Sequence, residues 1–528
     1  MDMFALNEDV TKLENDLDLN TGITRLVVLV PLAWHLRQRN PRQAIILVDE
    51  ADRLLAENAL PEASFERLSA RLLLIRAEIK WLFGGLASAA GLAELALEKL
   101  STIDDQIACA DAHWLLAAIA RDQGDSDRNE AELELSAAAT HLTTDQLRID
   151  IVEAELARWM LLRDVTSAHE RWSGRFNNDN HIDLPSVTAS VSDYLGLLAH
   201  QSSDFALSVT HWIRTHDAAL ATGQLRRAIT AATNIGDDFS SVGDHQAALE
   251  WMEKALDLAR LTGWPVSIGV CLDATAATMR HLGKLDIAQQ LQRSALATLA
   301  PFAGSRNYAI ALRNFGDLAL DRGDNEVALD TFHQLQERAD AIHQTDFQTM
   351  ARRGLAHALC NLGRLQEAQI AALDALSIAQ SLGDAYRQIE ALKVLAKIYS
   401  NNTLPTPPGI TAASTQLHYL LLAQEIYSGK GGKTMSSDLL DLIANAYASM
   451  KNFEAAFHAL RNANEVRKKV QGLESANRTT VLKVLYEAER VRIEEEHRSR
   501  LAASEELRAE ALEKLSETEK KLVELAHK

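Results

Sequence analysis

The chain has 528 residues, 47% of them hydrophobic, and a formal net charge of −19. This acidity disfavours nucleic acid as a partner, because a phosphate backbone is bound by a positive surface. The three cysteines are far apart in the sequence and form no CxxC pair, and the histidines do not cluster with cysteines or carboxylates at ligand spacing. We therefore predict neither a metal site nor a cofactor.

The beginning of the chain contains no recognisable targeting segment. Residues 1–16 are acidic and lack the basic start and apolar core of a signal peptide. The most apolar early run, residues 26–34, is about half the length that a membrane span requires. We therefore expect a cytoplasmic protein with no membrane segment.

From about residue 24 to residue 470 the sequence predicts about eleven helical hairpins. In the N-terminal half, small residues recur about every 40 residues, at Ala33, Ala77, Ala117, Ala157 and Gly196. After Ala117, we predict that the second helix of the hairpin is displaced by two residues, so that Ala131 and Ala138 fill its small positions. The segment 176–185 is the clearest loop of this half and predicts a soft boundary.

The pattern is most regular in residues 186–472. The unit 232–263 reads as two helices around a turn at Gly243-Asp244. The small residue of its first helix recurs every 40 residues, at Gly236, Ala276, Gly316, Ala356 and Ala396, and the turn glycine recurs at Gly243, Gly283, Gly323 and Gly363. After Ala396 the spacing stretches to 48, and the loop 401–411 supplies the extra residues.

This spacing resembles the tetratricopeptide repeat, which places small residues at its eighth, twentieth and twenty-seventh positions. The resemblance implies an all-α fold, a tetratricopeptide-like α-solenoid superhelix. We divide the chain into degenerate repeats in residues 1–185, regular repeats in residues 186–472, and a different segment in residues 473–528.

In tetratricopeptide arrays the first helix of each hairpin lines a concave groove, and its fifth and ninth positions face a ligand. By this resemblance the candidate groove residues of the regular repeats are Arg313, Arg353, His357, Lys393, Lys397, Asp317 and Asn445. The basic members form a positive strip suited to a carboxylate or an acidic peptide, because Arg and Lys donate charge-assisted hydrogen bonds. The alternative is a solvated face whose cations pair with Asp317 and other local carboxylates.

The same positions read differently in the N-terminal half. Val30, Leu74 and Trp114 stand at the fifth position, and Trp34 and Glu78 stand at the ninth. This pattern allows two interpretations. One is an apolar channel for an aliphatic ligand or a partner helix, and the other is ordinary core.

Residues 473–528 contain no proline or glycine and are rich in charge. Apolar residues separated by three and four positions form two heptad seams, for which we name Val481, Val484, Ala488, Val491, Leu515, Leu522 and Leu525. The pattern predicts a long coiled-coil helix that joins two chains in a parallel homodimer. The alternative is a helix that folds back along the solenoid and caps it.

The order of a repeat array followed by a charged helix ending at 521–528 resembles the sensory part of bacterial tetratricopeptide-containing diguanylate cyclases. The resemblance implies a sensory solenoid that controls a downstream domain making cyclic di-GMP. The Gly-Gly-(Asp/Glu)-Glu-Phe signature of that domain is absent from this sequence, so we predict no enzymatic activity for this chain. The alternative is a self-contained scaffold or a peptide-responsive regulator, with a peptide or protein in the groove.

Overall fold

A computed structural model describes residues 1–163, 165–176, 184–341, 344–400, 404–407, 410, 414–429, 437–469, 471–472, 479 and 490. Across these residues the chain forms α-helices and no strand. The helices are α1 (Asn7–Leu17), α2 (Leu26–Arg39), α3 (Pro41–Glu57), α4 (Glu62–Leu82), α5 (Leu86–Thr102), α6 (Gln106–Gln123), α7 (Ser126–His141), α8 (Gln146–Arg163), α9 (Val165–Phe176), α10 (Pro185–Gln201), α11 (Phe205–Ala221), α12 (Leu225–Ser241), α13 (His245–Thr262), α14 (Pro265–His281), α15 (Leu285–Leu299), α16 (Arg306–Arg322), α17 (Asn325–Ala341), α18 (Thr345–Asn361), α19 (Leu365–Ser381), α20 (Ala385–Ile398), α21 (Thr415–Gly429), α22 (Ser437–Ser449) and α23 (453–469).

Helices α2 to α23 pair in chain order into eleven hairpins, which confirms the predicted all-α solenoid. The insertion at 401–411 separates the two helices of one hairpin, α20 and α21, rather than two hairpins. None of the helices within the described ranges is both long and apolar enough to span a membrane.

The turn at Gly243-Asp244 shows how the sequence ends one helix and begins the next. Gly243 has a φ of 77°, a left-handed conformation that a residue without a Cβ adopts at little cost. The Asp244 side chain then accepts a hydrogen bond from the Ala247 main-chain N–H at 3.2 Å, which caps the N-terminus of α13. Together the two residues fix the angle between α12 and α13.

Small residues allow the two helices of a hairpin to approach closely. A Cβ added to Gly236 in α12 would lie 2.7 Å from the Met252 Cε in α13, so the Met side chain occupies the space that a larger residue would need. Ala248 and Ala255 of α13 are fully buried in the same contact. The recurrence of small residues every 40 positions is therefore a packing requirement of the hairpin.

The predicted displacement of the second helix after Ala117 is wrong. Ala131 and Ala138 are exposed, while the small positions of the undisplaced register are filled by Asn129 and Ser136. These two side chains are buried because each donates a hydrogen bond to a main-chain oxygen of α6, at 2.6 Å and 2.8 Å. A polar residue can occupy this tight contact when it satisfies its own hydrogen bond there.

The array curves enough for hairpins five apart to touch. The Arg39 guanidinium of the first hairpin donates to the Ala221 main-chain oxygen at 3.4 Å, just before the sixth hairpin. The Arg226 main-chain N–H of the sixth hairpin donates to the Gln38 Oε1 at 3.3 Å. These contacts enclose an axial channel lined by the first helices of successive hairpins.

The predicted coiled-coil positions, Val481, Val484, Ala488, Val491, Leu515, Leu522 and Leu525, lie outside the described residues. The homodimer and the division of the chain at residues 185 and 472 stay predictions from the sequence.

Candidate functional site

Residues 1–6 of the chain lie in the channel as an extended segment. Four side chains donate hydrogen bonds to main-chain oxygens of residues 1–5 at distances of 2.6–3.1 Å, and these donors are Trp34, Arg37, Arg39 and Arg148. The donors come from α2 and α8, which are widely separated in the sequence. The channel therefore holds a peptide backbone by its carbonyl groups.

The side chains of the same segment fill the apolar part of the channel. Met3 and Phe4 are buried, and the Phe4 ring meets the Trp114 ring edge-on with centroids 6.1 Å apart. The Arg37 guanidinium lies 4.9 Å from the centroid of the Phe4 ring, at cation–π distance. Of the predicted channel residues, Trp34 and Trp114 contact this segment.

The remaining predicted channel residues belong to the core. Val30 and Leu74 are buried in the main hydrophobic cluster. Glu78 is 1% exposed and pairs with the Arg37 Nε at 2.6 Å, while the Gln38 amide donates to its second oxygen at 2.7 Å. The core interpretation is therefore correct for these three residues.

A buried ion pair network lies directly behind residues 1–6. Asp111 of α6 accepts from Arg71 at 2.5 Å and from Arg148 at 3.0 Å. Burial alone would raise the pKa of Asp111, but the two guanidinium groups outweigh it and hold the pKa below its usual range. Because Arg148 also donates to the Met1 main-chain oxygen, Asp111 helps to position a donor for the extended segment.

Next to Phe4 the channel widens into a cavity of about 270 Å³. Its apolar wall includes the rings of Trp81, Trp114 and Trp159. Its charged wall consists of five arginines and three carboxylates, namely Arg121, Arg158, Arg226, Arg227, Arg306, Asp122, Glu155 and Asp193. Positive charges outnumber negative charges by two, although the protein as a whole is strongly acidic.

Most of these charges are paired. Arg226 bonds to Asp122 at 2.7 Å, and Asp193 is shared by Arg227 at 2.7 Å and Arg158 at 3.0 Å. Arg227 also contacts Glu155. Arg306 pairs outside the cavity with Asp346 at 2.8 Å.

Arg121 differs from the other four arginines, because within the described part of the chain it has no hydrogen-bond or ion-pair partner. Burial, followed by the charge of Arg226, lowers its pKa to about 10. Burial and the charge of Arg121 likewise lower the pKa of Arg227 to about 9. Both effects reflect guanidinium groups gathered in a confined space.

The position rule used for the regular repeats would have found part of this cluster. Arg158 is the ninth residue and Arg121 the twelfth residue of their repeats, and both are groove positions of the tetratricopeptide pattern. Arg226 and Arg227 lie in the first turn of α12, before the repeat pattern begins. They reach the cavity only through the curvature of the array.

The predicted positive strip is largely paired with its neighbours. Arg353 bonds to Asp317 at 2.8 Å, and Lys393 bonds to Glu390 at 2.9 Å. Arg313 donates to the Asn314 amide oxygen at 2.6 Å. For Arg353 and Lys393 the structure matches the alternative interpretation, a face whose cations pair with local carboxylates.

His357 does not add to the positive charge of the strip. Burial, then the charges of Lys397 and Arg353, lower the pKa of His357 to about 4, so its ring is neutral at pH 7. The Lys397 Nζ lies 2.6 Å from the His357 Nε2 and 2.7 Å from the Asn361 Oδ1, so the neutral ring accepts a hydrogen bond from Lys397. Asn445 is exposed on α22, farther along the array.

The eleven hairpins with their small-residue contacts define the protein as a tetratricopeptide-like α-solenoid. No group of three or more His, Cys, Asp or Glu side chains among the described residues could hold a metal ion. No protein-family model matches the chain, and no curated protein matches it.

The chain is similar to several solved structures at low sequence identity. The apo form of the quorum sensor NprR from B. thuringiensis has a TM-score of 0.48 and 16% identity, with 70% of this chain and 99% of that chain covered. A Rap protein complexed with competence and sporulation factor has a TM-score of 0.39 and 13% identity, with coverage of 85% and 99%. The Rap conjugation gene regulator of plasmid pLS20, in complex with the Phr* peptide, has a TM-score of 0.43 and 12% identity, with coverage of 68% and 94%.

Proposed function

We propose that the axial channel binds an extended peptide and that the protein is a peptide-responsive regulator with no enzymatic output of its own. The observation that carries this proposal is the segment 1–6, whose main-chain oxygens accept hydrogen bonds from Trp34, Arg37, Arg39 and Arg148. Hydrogen bonds to main-chain groups hold a backbone whatever its sequence, and the pockets for side chains then select the sequence.

In this proposal residues 1–6 occupy the binding position until a ligand displaces them. Burial of a side chain such as Met3 or Phe4 contributes about 1.5–3 kcal/mol. An external peptide must replace these contacts, so its apparent affinity falls by the fraction of molecules in which the channel is open. The segment thus sets the ligand concentration at which the regulator responds.

The proposal predicts that a peptide with the sequence of residues 1–6, Met-Asp-Met-Phe-Ala-Leu, binds in trans once the internal segment is released. The substitution Phe4→Asp places a charge among apolar groups and should release it. We expect calorimetry to show at least about tenfold tighter peptide binding by this variant than by the unaltered chain.

Two controls locate the binding. A peptide in which aspartate replaces the phenylalanine should not bind. Replacing Arg313, Arg353 and Lys393 together by serine in the Phe4→Asp chain should leave the affinity unchanged, because these residues lie farther along the array. A Phe4→Asp chain that keeps its helical circular dichroism and binds no peptide would refute the proposal.

The strip of Arg313, Arg353 and Lys393, with Asp317, His357, Lys397 and Asn445, stays a proposed contact surface for a longer acidic ligand. Arg313 supports this role, because its bond to the Asn314 amide leaves its charge unmatched by that partner. The serine variant should lose acidic ligands in a pull-down comparison, and retention of all of them would assign the strip to solvation.

We propose that the output passes through a homodimer formed by residues 473–528. A diguanylate cyclase domain downstream stays a prediction from the sequence resemblance, as does the cytoplasmic location. Sedimentation should show a dimer for the full chain and a monomer for a chain ending at Gly472. The double variant Leu515→Glu and Leu522→Glu should also be monomeric, because charges in a heptad seam oppose pairing. Dimers in both altered chains would contradict the mechanism.

A further inference from the structure

Two polar groups of the cavity beside Phe4 have no hydrogen-bond partner among the described residues. One is the Arg121 guanidinium, which is half-buried at the end of α6. The other is the Oδ1 atom of Asp193, a residue that is 5% exposed and whose Oδ2 atom takes Arg227 and Arg158. The charges of Arg121 and Asp193 act on each other across the cavity, but the two groups form no ion pair.

The free donor and the free acceptor face the same enclosed space as Trp81, Trp114 and Trp159. Buried polar groups normally find partners, so an unmatched donor and an unmatched acceptor in one cavity indicate a missing ligand. Such a ligand must bring an oxyanion, an N–H group and an apolar body. The carboxyl-terminal residue of a peptide has all three within a few bonds.

We propose that this cavity binds the carboxyl-terminal residue of a peptide. The carboxylate accepts hydrogen bonds from Arg121, the amide N–H of the same residue donates to the Asp193 Oδ1, and the side chain packs against the tryptophan rings. This assignment rests on the proposed function only in taking the ligand to be a peptide.

The charge balance of the cavity favours an anion. Arg226 is neutralised by Asp122, and Arg158 and Arg227 share Asp193 and Glu155. This leaves one positive charge without a counter-ion inside the cavity, on Arg121. A carboxylate at Arg121 supplies the missing negative charge, and a guanidinium is suited to it because it can donate two parallel hydrogen bonds.

The test uses the full chain and N-acetyl-leucine, which carries a carboxylate, an amide N–H and an apolar side chain. Inorganic phosphate, which carries only the oxyanion, is the second probe. We expect ligand-observed NMR to show saturable binding of N-acetyl-leucine at one site and much weaker binding of phosphate. Phosphate binding without N-acetyl-leucine binding would overturn the assignment to a peptide terminus.

Variants place the probe in the cavity. Arg121→Gln should weaken N-acetyl-leucine binding about tenfold or more, since a charged hydrogen bond is lost. Arg313→Gln removes a comparable arginine outside the cavity and should leave binding unchanged. Ala118→Phe fills the cavity without altering a charge and should abolish binding.

Equal affinity in the Arg121→Gln and unaltered chains, or retained binding in Ala118→Phe, would overturn the proposal. Absence of saturable N-acetyl-leucine binding to the unaltered chain would overturn it as well. These outcomes are separate from the test of residues 1–6. If Met-Asp-Met-Phe-Ala-Leu fails to bind while N-acetyl-leucine binds, the proposed channel function is wrong and the cavity assignment stands.

Discussion

Replacing Asp111 by alanine is expected to lower the free energy of unfolding by about 3–5 kcal/mol, because the change leaves buried cations without their carboxylate. Asp111 and Arg148 are each 1% exposed, and Arg71 is nearly as buried. Arg148 keeps a contact with Asp145, but Arg71 then has only the Trp34 ring, 4.6 Å from its guanidinium carbon. Urea denaturation of the purified chain measures the loss.

The matched control is Asp127→Ala on the neighbouring helix α7. The Asp127 side chain is 94% exposed and lies 3.4 Å from Arg163, so its loss should change the unfolding free energy by no more than about 0.5 kcal/mol. If Asp111→Ala costs no more than this control, the network does not stabilise the fold.

The Asp111 network also predicts the direction of the pH dependence. The pKa of Asp111 is lowered in the folded state, so the folded carboxylate holds its proton less tightly than the unfolded one. Its contribution to stability is fully present above the unfolded pKa of about 4 and is lost as the pH falls through the folded pKa. Asp111→Asn should therefore flatten the fall of stability below about pH 4.

Replacing Phe332 by alanine is expected to cost about 3–5 kcal/mol of unfolding free energy, because its ring fills the contact between two hairpins. The ring is fully buried and packs on glycines from both sides. A Cβ on Gly316 would lie 2.7 Å from the ring, and a Cβ on Gly354 would overlap it. Thermal unfolding and urea denaturation both measure the loss.

The same contact predicts that one substitution changes sign with its background. Gly354→Ala should destabilise the unaltered chain by about 1–3 kcal/mol through overpacking. In the Phe332→Ala background the steric conflict is gone, and the better helix propensity of alanine should stabilise the chain by up to about 1 kcal/mol.

Gly91→Ala serves as the control, because Gly91 lies in helix α5 and a Cβ there would meet nothing within 4 Å. It should be mildly stabilising in both backgrounds. A Gly354→Ala effect of equal size in both backgrounds would show that the glycine and the ring are not coupled.

The repeat register was predictable because each hairpin imposes the same packing requirement every 40 residues. Asn129 and Ser136 misled the prediction, since the pattern expects small apolar residues and these two occupy the contact through hydrogen bonds instead. The segment 1–6 could not be predicted. An extended strand has no helical periodicity, and its partners Trp34, Arg37 and Arg148 reveal nothing about it from their own positions.

The candidate site shows the same limit. Arg121 and Arg158 stand at positions that a repeat pattern marks as groove-facing, so the sequence contains a signal for them. That Arg121 has no counter-ion depends on which carboxylates Arg226 and Arg227 take. Pairings of this kind follow from the curvature of the whole array, which no single repeat specifies.

A simple repeat array behaves as a row of units in which each senses only its neighbours, and it tolerates the gain or loss of a unit. In this protein the Arg226–Asp122 ion pair at 2.7 Å joins the sixth hairpin to the third, and the contacts of Arg39 and Gln38 join the first hairpin to the sixth. The array is therefore a coil clipped across its own turns. Adding or deleting one hairpin between α2 and α12 would move every clip out of reach, so the number of units there is not free to vary, whereas the array beyond α20 has accommodated an insertion at 401–411.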